Sequence, residues 1–473
     1  MNDSALSRWS AVRLESAALW RLAWPVLVAQ LANVGMGVAD VAMTGHVSAE
    51  DLAAVSLGAS VWVIVLVTVM GIMMSVNSVV AHETGAGNGE RVPHVVRQAM
   101  WLGIFAGIAA CAAMNLSAFV FDFMTLDPVV RTKATTFSHV ISIGLPPFAV
   151  FRALYGYSMG LHESRPIMVI AIGGLLFNIF VNWLLVFGHW GLPQLGAVGC
   201  AVSTGLGMWL MLGAMLLWMR RAPAYRDTWP FARWEKPDWH EIGAMLRMGL
   251  PIGVTFFAEV SAFASVALLV ARFGVITVAA HQIALNFASL VFMVPMSLGI
   301  GLITRVGHAL GEGDPVRARF VSWVGVGMSM TFAVLSATFI ALFRAQIAAA
   351  YTSDESVRQL TMHLLLFAAL FQLSDATQAA TASAIRGYKV TRPPMVIHLT
   401  SFWGLSLPLG CVLGLAPEWL PFSPTQPMAA TGFWIGLVLG LTVAAVLLVW
   451  FLDRLSRSKA SIATARPAYE RRA

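Results

Sequence analysis

At 473 residues the chain is long enough for two or three soluble domains, yet 58% of it is hydrophobic and only 11% charged, about half the charged share of a soluble domain. With a mean hydropathy of +0.76, that balance excludes an ordinary soluble protein, and the net charge of +7 has to be read against a membrane rather than a nucleic acid. The three cysteines, Cys111, Cys200 and Cys411, are scattered and odd in number, which excludes a disulfide framework and a zinc site and leaves them as packing residues.

Residues 1–21 are polar and Arg-bearing, and the first apolar run is too long for a signal core, so no cleavable signal peptide is expected. Twelve apolar runs follow, near 22–44, 53–80, 95–119, 134–160, 166–188, 195–219, 248–271, 278–304, 320–343, 359–385, 394–415 and 430–453. A span needs roughly 20 predominantly apolar residues. These runs are too long for barrel strands, and backbone groups in lipid must be satisfied internally, so the spans are predicted to be helices. When loops are assigned alternately to two sides, only Arg131, Lys133, Arg272, Arg344 and Arg358 fall on the side away from the N-terminus, and Arg152 alone falls inside a span. All other lysines and arginines share the side of the termini and the central linker, which the positive-inside rule makes cytoplasmic.

The first span carries Gln30, Asn33, Gly37 and Asp40, spaced 3, 4 and 3 and therefore on one helix face. Asn178 and Asn182 stand four apart in the fifth span. Amides in lipid often only bridge helices, but a polar stripe that ends in a carboxylate suits proton or cation binding. Further along, Glu259 follows Pro251 by eight residues, and Gln372, Asp375 and Gln378 share a face of the tenth span. Three intramembrane acids, each costing several kcal/mol near the bilayer centre by most estimates, point to a cation-coupled transport path. Oxygen-rich clusters suit hard cations. Gln282 and Asn286 line the same cavity or bridge helices, while His281 reads as a hydrogen-bonded interior histidine and Arg152 as a residue that snorkels or pairs with an acid.

The sequence also repeats. A shift of 226 positions lays Pro25 on Pro251, Ala53-Ala54 on Ala279-Ala280, His82-x-x-Gly85-x-Gly87 on His308-x-x-Gly311-x-Gly313, and Arg91 on Arg317. Arg165-Pro166 and Gly160 meet Arg392-Pro393 and Gly387 one position later. The Gly-rich segments read as turns, since no Gly-Lys-Ser/Thr pattern accompanies them. Each half holds six spans, so both enter the membrane in the same direction and form a parallel repeat, with a cavity expected at their interface. The acids break the repeat: Glu259 falls on Asn33 and Asp375 on Phe148, while Asn178 and Asn182 land on Leu405 and Leu409.

Taken together, Trp24-Pro25-Val26-Leu27 with Asp40-Val41-Ala42-Met43-Thr44-Gly45, Gly85-Ala86-Gly87-Asn88, Arg165-Pro166, Asn178-Ile179-Phe180-Val181-Asn182, Pro251 to Glu259, Ala280 to Ala284 and Gln372 to Asp375 resemble the multidrug and toxic-compound extrusion (MATE) transporters, in their NorM-like branch, over nearly the whole chain. The resemblance implies an all-α membrane protein of twelve helices in two six-helix lobes around a central cleft. It implies an efflux antiporter, not an enzyme, with proton or sodium coupling at Asp40, Asn178 and Asn182. It further implies cation binding at Glu259 and Asp375, the candidate Na⁺ ligands, with bulky and often cationic drugs expelled. Some sodium-coupled relatives have a tyrosine where this chain has Phe371, which removes one oxygen ligand.

The expected organisation is an N-lobe at 1–225, a cytoplasmic linker at 226–240, a C-lobe at 241–455 and a basic cytoplasmic tail at 456–473. The expected setting is a bacterial inner (plasma) membrane, with both termini cytoplasmic, a monomeric assembly, no cofactor beyond the coupling ion and no nucleic-acid partner. A lipid-linked precursor flippase of the wider superfamily is the alternative, and it would call for a strongly cationic cavity, for which Arg152 is the one candidate. A membrane enzyme would need a clustered acid pair such as Asp-x-x-x-Asp within a span, and a major-facilitator carrier would place charged turn motifs after its second and eighth spans; neither pattern is present.

Overall fold

The computed structural model describes residues 2–123, 127–417 and 424–458. Most of the basic tail, 459–473, lies outside them. Among the described residues the chain is helical throughout: α1 (Asn2–Gly45), α2 (Ala49–Gly85), α3 (Val92–Ser117), α4 (Pro128–Ser142), α5 (Leu145–Gly160), α6 (Arg165–Phe187), α7 (Ala197–Arg221), α8 (Trp239–Val270), α9 (Val275–Gly311), α10 (Pro315–Tyr351), α11 (Glu355–Gly387), α12 (Arg392–Leu399), α13 (Leu407–Leu415) and α14 (Ala429–Arg457). Eleven helices are long and apolar enough to cross a membrane, and α4 with α5 makes a twelfth, bent by 42°. Six candidate spans precede the linker and six follow it.

The fourth span, predicted as one run over 134–160, is broken because Gly144 precedes Pro146 and Pro147. A pair of prolines fits best in the first turn of a helix, where their missing N–H groups cost nothing, so a new helix starts at Leu145. The eleventh span holds a π-helical segment, Thr400–Ser406, between α12 and α13. Helix starts carry the expected caps: Ser48 Oγ accepts from Asp51 N, and Asp127, Asp314 and Asp354 accept from the first turns of α4, α10 and α11.

Two compact units emerge, one of residues 24–253 and one of 1–23 with 254–473. In the first, Asp51 ties three helices at one end, accepting from Lys133 Nζ at 2.9 Å and from Ala197 N at 3.0 Å. Gly196 precedes Ala197 at φ 52, and a Cβ there would stand 2.5 Å from Asp51 Oδ1, so only glycine lets α7 start against that carboxylate. Farther along α2, α8 passes close enough that a Cβ on Gly249 would meet Ile72 O at 2.2 Å. In the second unit the opening turns of α1 pack on α9: Leu19 joins a core with Leu302, Val306 and Leu448, and Glu15 takes a two-pronged ion pair from Arg305 at 2.8 and 2.6 Å. Pro25 and Pro251 lie inside α1 and α8, within three residues of the points where each helix passes from one unit to the other.

The internal repeat is legible in backbone geometry. Gly87 and Gly313 both take positive φ, at 71° and 77°, and close equivalent turns, Asn88 N→Glu83 O and Asp314 N→Ala309 O, each at 3.0 Å. His162 and Lys389 are likewise paired at φ 63° and 59°. Gly160 packs against Val80 and Gly387 against Val306, again matching positions. The Gly-rich segments are turns.

The linker is strapped down within the first unit. Arg97 donates to Pro230 O and to the Glu235 carboxylate, His94 Nδ1 lies 2.6 Å from the same carboxylate, Trp101 Nε1 donates to Glu235 O, and Asp238 N donates to Gln98 Oε1. From α5, Tyr157 OH donates to Thr228 O and Ser158 Oγ bonds the Tyr225 hydroxyl at the start of the linker, and burial pushes the Tyr225 phenol up to about 12. The Arg97 guanidinium, aided by His94, holds Glu235 below the usual glutamate range. A carboxylate depressed in the folded state contributes stability above its unfolded pKa of about 4.3 and loses it as pH falls through the lower folded value. Amide hydrogen exchange over 230–238 should therefore accelerate as pH is lowered through that window, after correction for intrinsic rates. Glu235→Gln should exchange fast already at pH 7; equal protection in both proteins would show the ion pairs to be idle.

Candidate functional site

Asp40, near the end of α1, is the best-defined intramembrane charge. Asn182 Nδ2 donates to its Oδ1 at 2.6 Å, Asn178 Nδ2 to the same oxygen at 3.1 Å, and Thr204 Oγ1 to Oδ2 at 3.2 Å. These donors come from α6 and α7, so the site exists only where three helices meet. Asn178 and Asn182 are fully buried and face Asp40 because they stand one turn apart. The amides are themselves fixed: Asn182 Nδ2 also lies 3.3 Å from Asn178 Oδ1, and Ser203 Oγ donates to Asn178 O at 3.1 Å. Every partner offers Asp40 a hydrogen, the arrangement that suits an ionised carboxylate. One acceptor is left over. Asn182 Oδ1 is buried and makes no hydrogen bond, a state that costs roughly 1–3 kcal/mol and would be relieved by a cation or an acidic proton.

Sequence reasoning found Asp40, Asn178 and Asn182 and missed Ser203 and Thr204. It also treated Cys200 as packing, whereas its thiol lies against the Asp40 carboxylate. The missing signal is the spacing Cys200, Ser203, Thr204, three and four apart on one face of an otherwise apolar helix. Gln30 and Asn33 do share a face, with Asn33 Nδ2 3.5 Å from Gln30 Oε1, but the hydrogen bonds to Asp40 come from α6 and α7 instead.

The second unit holds the other two acids. Asp375 on α11 is buried and accepts from Gln378 Nε2 at 3.1 Å. Gln378 Oε1 meets His398 Nε2 of α12, whose Nδ1 lies 2.7 Å from Pro394 O. Glu259 on α8 is near enough to repel Asp375, and the Arg386 guanidinium is near enough to attract Glu259; Arg386 also stacks over Phe256 at 5.2 Å. Trp403, in the π-helical segment, donates to Ala258 O beside Glu259 at 3.1 Å. The acids thus belong to one polar cluster in which Arg386 and His398, both unremarked in the sequence, take part. Arg386 stands near the end of α11 and His398 inside the eleventh apolar run, and nothing in their spacing pairs them with an acid.

The remaining candidates separate. Gln372 Nε2 donates to Ala288 O at 2.8 Å and bridges α11 to α9. Asn286 Oδ1 accepts from Tyr351 OH at 2.9 Å and bridges α9 to α10, while Gln282 is exposed. His281 is the interior histidine expected, accepting from Trp434 Nε1 at 3.2 Å. Phe371 packs edge-on against Phe263 and Trp434, at 5.9 Å each, and brings no oxygen near Asp375. The expectation for Arg152 is corrected. It neither snorkels nor pairs with an acid among the described residues; it is buried on α5, which packs on α2, α3 and α7. Its guanidinium lies 4.0 Å over the Tyr155 ring, so a cation–π contact replaces the ion pair. Arg152, the one candidate for the cationic cavity of the flippase alternative, is thus buried against an aromatic ring. Among the described residues no group of three or more His, Cys, Asp or Glu could hold a metal ion.

The MatE family model matches residues 25–184 and again 251–412, opening on Pro25 and on Pro251. The multidrug resistance protein PmpM of Pseudomonas aeruginosa is 42% identical over 460 residues, covering 97% of this chain and 95% of that protein. The multidrug resistance protein NorM of Vibrio cholerae is 40% identical over 436 residues, covering 92% and 94%. Among solved structures, the eukaryotic MATE transporter AtDTX14 superposes with a TM-score of 0.86 at 20% identity, over 97% of this chain and 99% of that one; at that identity the likeness speaks for the fold. If the donors around Asp40 act as a unit, Asn182→Leu and Thr204→Val should each lower drug efflux, by at least tenfold for Asn182, which contributes the shorter bond. Efflux assays normalised to protein in the membrane check this, and wild-type rates in both variants would leave the shell without a role.

Proposed function

The chain belongs to the MatE family and is a multidrug efflux transporter, and on that footing we propose that it is a secondary antiporter exporting amphipathic, often cationic compounds in exchange for Na⁺ or H⁺. The observation that carries the proposal is Asp40 in its shell of donors, with the unpartnered Asn182 Oδ1 beside it. An ionised Asp40 is matched by Asn178, Asn182 and Thr204. A neutralised Asp40 needs fewer donors, and rotation of the Asn182 amide would bring its oxygen toward the arriving proton or Na⁺. Binding and release of one ion therefore exchange two hydrogen-bond patterns, and each pattern can favour a different packing of α1 on α6 and α7. Entry of one cation at 100 mV supplies about 2.3 kcal/mol from potential alone.

In this reading Glu259 and Asp375 form the second cation-binding region, held by Arg386, Gln378 and His398. Phe371 in its aromatic cluster leaves the C-terminal site poorer in oxygen. The protein works in a bacterial inner membrane as a monomer, with both termini and the linker in the cytoplasm. The loops and tails on that side hold 24 of the 30 lysines and arginines, which supports this orientation.

Dye efflux from reconstituted vesicles, under separately imposed Na⁺ and H⁺ gradients, tests the proposal. At least one gradient should drive export, and Asp40→Asn, Glu259→Gln and Asp375→Asn should each reduce it with normal membrane insertion. The double variant of Glu259 and Asp375 should be little worse than the worse single one, as expected of residues acting as a unit. Wild-type transport by all three single variants under both gradients would refute coupling at these acids. For orientation, Arg226→Cys should resist impermeant thiol reagents added outside intact cells; labelling there would reverse the topology.

A further inference from the structure

We infer that the groove between α6 and α7, at the end of these helices that meets the central linker, is a docking site for an anionic membrane phospholipid. The groove has a volume of about 600 Å³, inside the range of roughly 300–1,000 Å³ found for small-molecule sites. Its walls are apolar: Val169, Ile170 and Gly173 from α6, with Leu210, Leu217 and Trp218 from α7. The two helices touch at Gly174, where an added Cβ would stand 3.2 Å from Met211 Sδ, but a Cβ on the adjacent Gly173 would meet nothing within 4 Å. Glycine thus leaves unfilled space that a longer side chain would occupy.

Length and charge decide what fits. Along α7 the lining runs from Leu210 to Ala222, about 18 Å at 1.5 Å per residue. That is close to one leaflet's share of a hydrocarbon core about 30 Å thick. Arg221 lines the mouth, with Arg220 beside it and Arg165 one turn before Val169 on α6. All three arginines are exposed, and no hydrogen bond or ion pair involves them among the described residues. An acyl chain in the apolar slot would bring a phosphate-bearing headgroup to this triad, as basic pockets between spans do for anionic lipids on the cytoplasmic side. A cationic drug, the cargo proposed above, is repelled by the same charges. The leaflet assignment rests on the proposed orientation; the lipid chemistry does not.

Native mass spectrometry of the full chain, exchanged from detergent with phosphatidylglycerol or phosphatidylcholine of identical acyl chains, tests the inference. Wild type should retain phosphatidylglycerol at least tenfold more than phosphatidylcholine. The triple variant Arg165→Gln, Arg220→Gln, Arg221→Gln should bring that preference within twofold. Gly173→Phe should lose retention of both lipids. No preference in wild type, a preference surviving in the triple variant, or undiminished retention by Gly173→Phe would each overturn the site, as would displacement of the lipid by ethidium. Should Gly173→Phe fail to fold, the triple variant decides alone, because its side chains are exposed. Retention is read without any gradient, so failure here leaves coupled efflux standing, and failure of coupled efflux leaves the lipid result intact.

Discussion

Hydrocarbon offers no hydrogen bonds, so every polar group that enters these spans must find its partner in the protein. That constraint organises the molecule from the backbone outward. It makes the chain helical, and it demands a local answer for each buried charge. Asp40 is answered by amides and a hydroxyl from two other helices, Arg152 by the face of Tyr155, and Glu15 by both arms of Arg305. The answers differ in kind. The two-pronged Glu15–Arg305 ion pair is a closed arrangement, whereas the Arg152 guanidinium, stacked over its ring, keeps a buried Nε without a hydrogen-bond partner. The shell of Asp40 is open, because Asn182 Oδ1 remains without a partner. Under the proposed coupling, that spare acceptor is where an exchangeable ion would bind; Asp51, by contrast, fastens helices.

The duplicated frame and the unduplicated chemistry obey different physics. Turns at Gly87 and Gly313, positive φ at His162 and Lys389, and the close approaches of Gly160 and Gly387 are set by backbone sterics, where one misplaced Cβ displaces a helix. Those positions stay in register across the two halves. Polar side chains inside a bundle are bound only by the need for some partner, and many geometries supply one. The first half meets that need with carboxylate, amides and hydroxyl on α1, α6 and α7. The second meets it with two acids, an arginine, a glutamine and a histidine on α8, α11 and α12. The repeated scaffold thus carries two unlike polar clusters, each with its own partners.

Much of this was legible in the residues alone, because in a membrane the dominant signals are long-range sums. Span number, helical class and the internal repeat follow from runs of apolar residues and from glycine and proline positions, and each is a property of consecutive sequence. Asp40, Glu259 and Asp375 stood out because an acid in an apolar run is costly wherever it points. Pairwise partnership was decided only by tertiary packing. Nothing along the chain marks Thr204 and Cys200 as neighbours of Asp40, more than 150 residues away, or joins His398 to Asp375 through Gln378. Arg152 shows the same limit: its place inside a span was legible, but its burial and its partner, a tyrosine one turn along the same helix, were decided by the neighbouring helices. Sequence determines which groups must be satisfied; the meeting of helices determines by whom, since contact is a property of three-dimensional packing that no local pattern encodes.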